Sequence, residues 1–462
     1  MLRLIKRFVK FVGVTWLVVG GIAIAVIGLG LAEQPLFAEL YIPGNTIADH
    51  YDATVPVAWF HLAQQLASET PGFTPPVVAR AFAYMGITLY EALVPGMPGY
   101  QSLAGQLKDL HSLEVSKPGE LRHWPTVANT ALAEIIRKLF PNSSEENRKA
   151  IDALEEQFNA AFQSEIREDV MTQSQAHGKL VANRIFEWSM DDGGHEAFLH
   201  KATDEEQPAS GVGLWMPTPP RFDKALFPTW HNNRPFVLTT SSQCAPPAPP
   251  RYSTDRSSEM YYEASEVYAI VKKLTPEQRQ LAQFWSDDPT TGTTTPGHAI
   301  GIATEVLQEE DASLSMAAIV YSQVGLALGD SMIGAWETKY TYKRMRPISY
   351  IQQVIDAKWA IPSGTNLSTT PPSPSYTSEA ATQLGAVMTV LSALFGDGYE
   401  YDDLTNLERG LPPRSYASFM DAAEEAAEAQ LYAGIHYRSD TEDGLRQGIC
   451  IGEKVKRLQY IR

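Results

Sequence analysis

Apolar residues recur every three to four positions from about residue 45 to 188 and again from 275 to 457. Strict apolar/polar alternation persists nowhere, so both stretches predict helices rather than strands. In the first, Pro75-Pro76-Val77-Val78-Ala79-Arg80-Ala81-Phe82-Ala83 opens a helix rich in small residues, with proline placed where a helix can begin. Further helices are predicted near 124–140, 143–165 and 168–191, and Asn142-Ser143-Ser144-Glu145-Glu146 supplies a cap with acidic first-turn residues. The second stretch predicts helices near 275–286, 298–308, 311–342, 377–395, 415–434 and 440–457. Between them, residues 205–256 are rich in Pro, Thr and Ser and show little period. Trp215, Phe222, Phe227 and Trp230 need apolar partners, which makes this an ordered connection over the surface rather than a loose linker. The expected organisation is all-α: a segment 1–32, a helical bundle over 45–204, the Pro-rich connection 205–256, and a second helical bundle over 257–462.

The amino terminus differs from the rest. Arg3, Lys6, Arg7 and Lys10 precede an uncharged run from Phe11 to Ala32, which is 22 residues. At about 1.5 Å per residue that run spans a hydrocarbon core of roughly 30 Å. It predicts a transmembrane helix; the alternative is a signal peptide cleaved after Leu36-Phe37-Ala38. Both place the body outside the cytoplasm, either membrane-anchored (periplasmic or extracytoplasmic) or secreted. Thirty-seven basic against 54 acidic side chains give a net charge of −17, which argues against a nucleic-acid partner. Cys244 and Cys450 are too few for a disulfide framework or a cysteine zinc cluster; one bond and two buried thiols both stay open. The oligomeric state is not legible.

Three segments carry candidate chemistry. In Lys339-Tyr340-Thr341-Tyr342-Lys343-Arg344-Met345-Arg346-Pro347, Lys339 and Arg346 stand seven apart, two turns along one helix face, with Pro347 ending the helix. Two such cations can clamp a tetrahedral anion, though paired cations on a solvated face are common. Pro371-Pro372-Ser373-Pro374-Ser375-Tyr376-Thr377-Ser378-Glu379-Ala380-Ala381-Thr382 runs a proline-rich loop into a helix near Ser378, whose start suits an oxyanion or is an ordinary serine cap. In Tyr432-Ala433-Gly434-Ile435-His436-Tyr437-Arg438-Ser439-Asp440, Asp440 follows His436 by four and on a helix holds its imidazole. Pro362-Ser363-Gly364 imitates the second segment but reads as a turn.

Order and spacing together resemble the bacterial branch of the vanadium-dependent haloperoxidases, within the type-2 acid phosphatase superfamily. Pro76 to Ala81, Trp215 to Pro220, Phe284-Trp285-Ser286-Asp287, Thr295-Pro296-Gly297-His298 and Gly329-Asp330 extend the likeness over about 70–460. The resemblance implies an all-α fold of two four-helix bundles and a site for vanadate or phosphate. It implies anion contacts from Lys339, Arg346 and Ser378, a vanadium-bonding or phosphorus-attacking role for His436, and a supporting aspartate at Asp440. Three positions depart: Glu379 and Ala380 stand where the family has glycine and an acid–base histidine, and Gln430 stands where it has an arginine. Lys343, Arg344 or Arg438 could replace the missing charge, and His298 the missing proton donor.

Three functions follow. Altered chemistry on a small-molecule or lipid phosphate or diphosphate would make Glu379 a new acid or base, or a Mg²⁺ ligand. A working haloperoxidase would hold vanadate on His436. A non-catalytic binding or structural protein would keep only the fold.

Overall fold

The computed structural model describes residues 47–113, 121–286, 294–363 and 370–462. The expected membrane segment 1–32 lies outside the described residues, as do Asp287 and Gly364. Thirteen α-helices fill the described chain: α1 Thr54–Glu69, α2 Pro75–Leu93, α3 Trp124–Leu139, α4 Glu145–Gln163, α5 Glu168–Ser189, α6 Glu259–Lys272, α7 Pro276–Phe284, α8 Thr295–Glu309, α9 Leu314–Tyr342, α10 Pro347–Val354, α11 Glu379–Phe395, α12 Phe419–Tyr432 and α13 Arg438–Val455. The all-α expectation holds. The exception is a two-stranded antiparallel ribbon, β1 Tyr401–Asp403 with β2 Arg414–Tyr416, too short for alternation to register.

Two close helix pairs organise residues 44–462, which form one unit. α2 lies along α9, and α11 along α13. Small residues set both approaches. A Cβ on Gly86 would stand 2.2 Å from the Tyr321 carbonyl oxygen, and one on Gly448 2.1 Å from that of Thr382. Any side chain there pushes the helices apart. α2 and α9 are apolar all round because they are enclosed; both are long and apolar enough to cross a bilayer, yet both are core.

Sequence reading missed α6 and α10. It also misjudged Pro347, which begins α10 rather than ending α9. α9 stops at Tyr342, where Lys343 turns left-handed (φ 49°), and Arg346 is extended (φ −71°, ψ 154°) as residues before proline are. Lys339 and Arg346 are therefore not on one helix face. α13 likewise begins at Arg438, so His436 precedes the helix. In the 205–256 connection Trp215, Phe227 and Trp230 are buried, but Phe222 is 61% exposed. That connection is bound to the core by Asp330, whose carboxylate accepts the backbone N–H groups of Phe236, Val237 and Leu238 at 2.7–2.9 Å. It is also bound by a Cys244–Cys450 disulfide to α13.

Candidate anion cradle

Three chain segments meet where α9 ends and α11 and α13 begin. Lys339, the last basic residue of α9, is fully buried and donates to the carbonyls of Pro374 and Ser375 at 2.9 and 3.4 Å. Arg346 is fully buried too. Its Nε donates to the Ser373 carbonyl (2.8 Å), one terminal nitrogen to the Ile435 carbonyl (3.0 Å) and the other to Ser373 Oγ (3.1 Å). Arg346 also stands 3.0 Å from His436 Nε2. A guanidinium only donates, so Nε2 accepts and the ring proton sits on Nδ1. Nδ1 faces Asp440 Oδ2 at 3.2 Å. The His436–Asp440 contact expected from their spacing thus forms, across a helix start rather than along a helix.

Asp440 is the most heavily bonded group here. Oδ1 accepts from Arg344 at 2.8 Å; Oδ2 accepts from the Tyr437 N–H at 2.9 Å and from Ser375 Oγ. Burial alone would raise this carboxyl, but Arg344, His436 and Ser375 hold it well below the usual carboxylate range. Burial, with Arg346 and Lys339 nearby, pushes His436 down to about 3, so the imidazole is neutral. Burial and the Arg346 charge push Lys339 down to about 7, against the opposing pull of Glu379 and Asp440.

Ser378 caps α11, its Oγ accepting the Ala381 N–H, while its own N–H donates to the Asp440 carbonyl at 2.8 Å. Glu379 follows on the first turn, partly exposed where its neighbours are buried. Desolvation pushes its carboxyl up, against the pull of Lys339 and Arg346, yet it has no direct hydrogen bond or ion pair with either. Ala380 puts only a methyl group at the next position. Gln430 is buried and its amide donates to the Trp285 and Ala426 carbonyls at 3.3 and 3.4 Å. It makes no hydrogen bond to Lys339, Arg346 or His436.

The residues expected to replace an arginine are engaged elsewhere. Arg344 is held by Glu263 and Asp440. Arg438 pairs with Glu266 and Glu428 on the surface side. Lys343 turns out of α9 at its left-handed stop. His298 bonds Asp403 at 2.9 Å and stacks on Trp285 at 4.6 Å between ring centroids. Among the described residues no group of three or more His, Cys, Asp or Glu could hold a metal ion, and the charges facing Glu379 are cations. The Mg²⁺ expectation therefore finds no donor set. Sequence reading missed Ser373, Ser375 and Glu263. The two serines had a signal, standing in the flagged loop; Glu263 had none, being 81 residues from Arg344.

Residues 319–461 match the VCPO second helical-bundle domain. No curated protein sequence matches the chain. Among solved structures, one described as the first bacterial vanadium-dependent iodoperoxidase is 31% identical, covering 88% of this chain and 96% of that one, with a TM-score of 0.79. Holo- and apo-type structures of a bacterial vanadium-dependent chloroperoxidase are each 14% identical, with TM-scores of 0.63 and 0.61. They cover 84% of this chain and 92% and 94% of theirs, and share its fold. With 31% identity over 88% of its length to that iodoperoxidase structure and a shared fold, the chain belongs to the bacterial vanadium-dependent haloperoxidase family.

Proposed function

We propose that this member hydrolyses a phosphate ester or diphosphate instead of keeping vanadate as a resident cofactor. One observation carries the reading. A neutral His436, oriented through Nδ1 by Asp440, presents Nε2 to the cradle, while the titratable, largely desolvated Glu379 stands near the two cations.

The residues present do not fit a resident vanadate. Ala380 offers no proton donor, the Gln430 amide is engaged by Trp285 and Ala426, and Glu379 brings a carboxyl to the anion side. Losing one charge-assisted fork is worth about 1.5–3 kcal/mol, or about 10–150-fold in affinity. That loss removes a cofactor that must stay bound between turnovers. A substrate needs only transient binding, in the range of about 1 μM–1 mM typical of KM values. Protonated Glu379 is neutral and does not repel the incoming anion.

In the first step His436 Nε2 bonds to phosphorus and the phosphorus–oxygen bond to the leaving group breaks. Substrate oxygens take over the Arg346 donor now facing Nε2, and Lys339 adds charge. Glu379 gives its proton to the leaving oxygen. Water then attacks the phosphohistidine, returning a proton to the Glu379 carboxylate and freeing phosphate. Turnover falls as pH rises through the raised Glu379 pKa, because the first step needs the acid form.

The test is phosphate release from p-nitrophenyl phosphate, a sugar phosphate and a prenyl diphosphate. His436→Ala abolishes it, and Glu379→Gln lowers kcat by about 10²–10⁴ with KM little changed. Release that survives His436→Ala refutes the reading. The 31%-identical iodoperoxidase structure favours a second one, halide oxidation by peroxide; vanadate-dependent iodide oxidation with no phosphate release would establish it. We further place the body outside the cytoplasm, held by the 1–32 segment. The Cys244–Cys450 bond supports an oxidising compartment, and protease accessibility in intact cells tests it.

A further inference from the structure

Arg344 and Arg346 stand two apart in the extended stretch between α9 and α10, and they serve opposite ends of one pair. Arg346 touches His436; Arg344 touches Asp440. Arg344 is 4% exposed, and its guanidinium lies 4.2 Å over the Tyr437 ring. One terminal nitrogen donates to Asp440 Oδ1 (2.8 Å) and Ser439 Oγ (2.7 Å). The other meets Glu263 Oε2 on α6 at 2.5 Å and Met260 Sδ at 3.3 Å. Glu263 also accepts the Ser439 N–H at 3.0 Å, so it fixes the start of α13 and the guanidinium together.

We propose that Arg344, held by Glu263, is a positioning residue that dictates the tautomer of His436. The chain of contacts is Glu263, Arg344, Asp440, His436. With Arg344 on Oδ1, and Ser375 and the Tyr437 N–H on Oδ2, Asp440 is an acceptor only and is aimed at Nδ1. Nδ1 then keeps the proton, and Nε2 keeps the lone pair that faces Arg346. A buried carboxylate with one cation removed takes up a proton or turns toward another donor, and either change releases Nδ1. The device extends the site past the 319–461 segment that matches the family domain, because Glu263 lies on α6. It also explains why Arg344 does not stand in for the arginine absent at Gln430: its donors serve Asp440.

The hydrolase reading uses this tautomer, but the tautomer is measurable without turnover. The probe is the chain with ¹⁵N-labelled histidine at pH 7, the His436 ring signals being assigned with His436→Gln. The native chain should show Nδ1 protonated and Nε2 bare. Arg344→Met should lose at least half of that tautomer, Arg344→Lys should retain most of it, and Glu263→Gln should fall between. In phosphate release, Arg344→Met should lower kcat about 10–100-fold, as loss of a supporting contact commonly does, with KM within about threefold. An unchanged His436 tautomer in folded Arg344→Met overturns the proposal. If that variant fails to fold, an unchanged tautomer in Glu263→Gln overturns it equally. A native chain with the expected tautomer but no phosphate release refutes the hydrolase reading and leaves the positioning role standing.

Discussion

Introducing the three residues that the resemblance implies is the sharpest perturbation of the cradle. The variant Glu379→Gly/Ala380→His/Gln430→Arg returns a fork, returns a donor and removes a carboxyl. The fork contributes about 1.5–3 kcal/mol and a neutral donor about 0.5–1.5 kcal/mol. Against this, the Gln430→Arg change gives up the amide contacts to the Trp285 and Ala426 carbonyls, which costs about 1 kcal/mol. The net gain of roughly 1–3.5 kcal/mol predicts vanadate affinity about 5–400-fold above the native chain. The proton count adds a signature. Lys339 sits at about 7, pushed down by burial and the Arg346 charge. Above neutrality bound vanadate must therefore draw a proton onto Lys339. Affinity therefore declines as pH rises above neutrality, by up to about tenfold per unit. Calorimetric titration at pH 6, 7 and 8 measures both quantities. A native chain that already binds vanadate as tightly as the variant, with no pH slope, refutes the account of the three departures.

Gln383 is fully buried, and neither its amide oxygen nor its nitrogen finds a partner among the described residues. Gln383→Met should therefore stabilise the fold by about 1–2 kcal/mol, read as a higher calorimetric midpoint; a lower one means the amide is satisfied. Removing the disulfide with Cys244→Ala/Cys450→Ala should cost about 2–5 kcal/mol in denaturant titration, and equal midpoints would sink that expectation. His436 moves from 6.5 down to about 3 on folding and His123 down to about 4. As pH falls below 6.5 the unfolded chain protonates these histidines and the folded chain does not, so their contribution to stability drops, while the raised Glu91, Glu305, Asp330 and Glu379 carboxyls act in the opposite sense. The stability difference between the native chain and His436→Gln should therefore shift against the native chain between pH 6.5 and 4.5, and a pH-independent difference would contradict the assignment.

The all-α fold was legible because its helices are long and periodic. α9 and α11 were placed within a few residues. What failed was local. Pro347 ends a helix or begins one with equal ease, and only the left-handed turn at Lys343 decides between them. α6 escaped notice behind a proline-rich stretch, and with it Glu263. The His436–Asp440 contact was legible from spacing for the wrong reason, since two residues before a helix and a first-turn residue can meet as well as two on one face. The fate of Arg344 was not legible at all, because its partners come from α6 and α13, and tertiary pairing of charges leaves no local period.

Lys339, Arg346, His436 and Asp440 meet at the cradle, yet their presence alone is weak testimony for a ligand. Lys339 ties α9 to the Pro374 and Ser375 carbonyls; Arg346 ties the α10 start to Ser373 and Ile435; Asp440 ties α13 to Ser375 and Arg344. Removing any one leaves buried polar groups unpaired, at about 1–3 kcal/mol each. These residues thus hold together the three segments whether or not an anion enters. Glu379 is different. It is partly exposed, its side chain makes no direct hydrogen bond among the described residues, and its carboxyl is raised beside two cations. The start of α11 does not need that side chain, since Ser378 already supplies the cap. The functional information in this site therefore rests on Glu379. Glu379→Ala separates the cases by turnover: a hydrolase loses phosphate release while its melting temperature stays close to the native value, whereas a site that serves only structure has no release to lose.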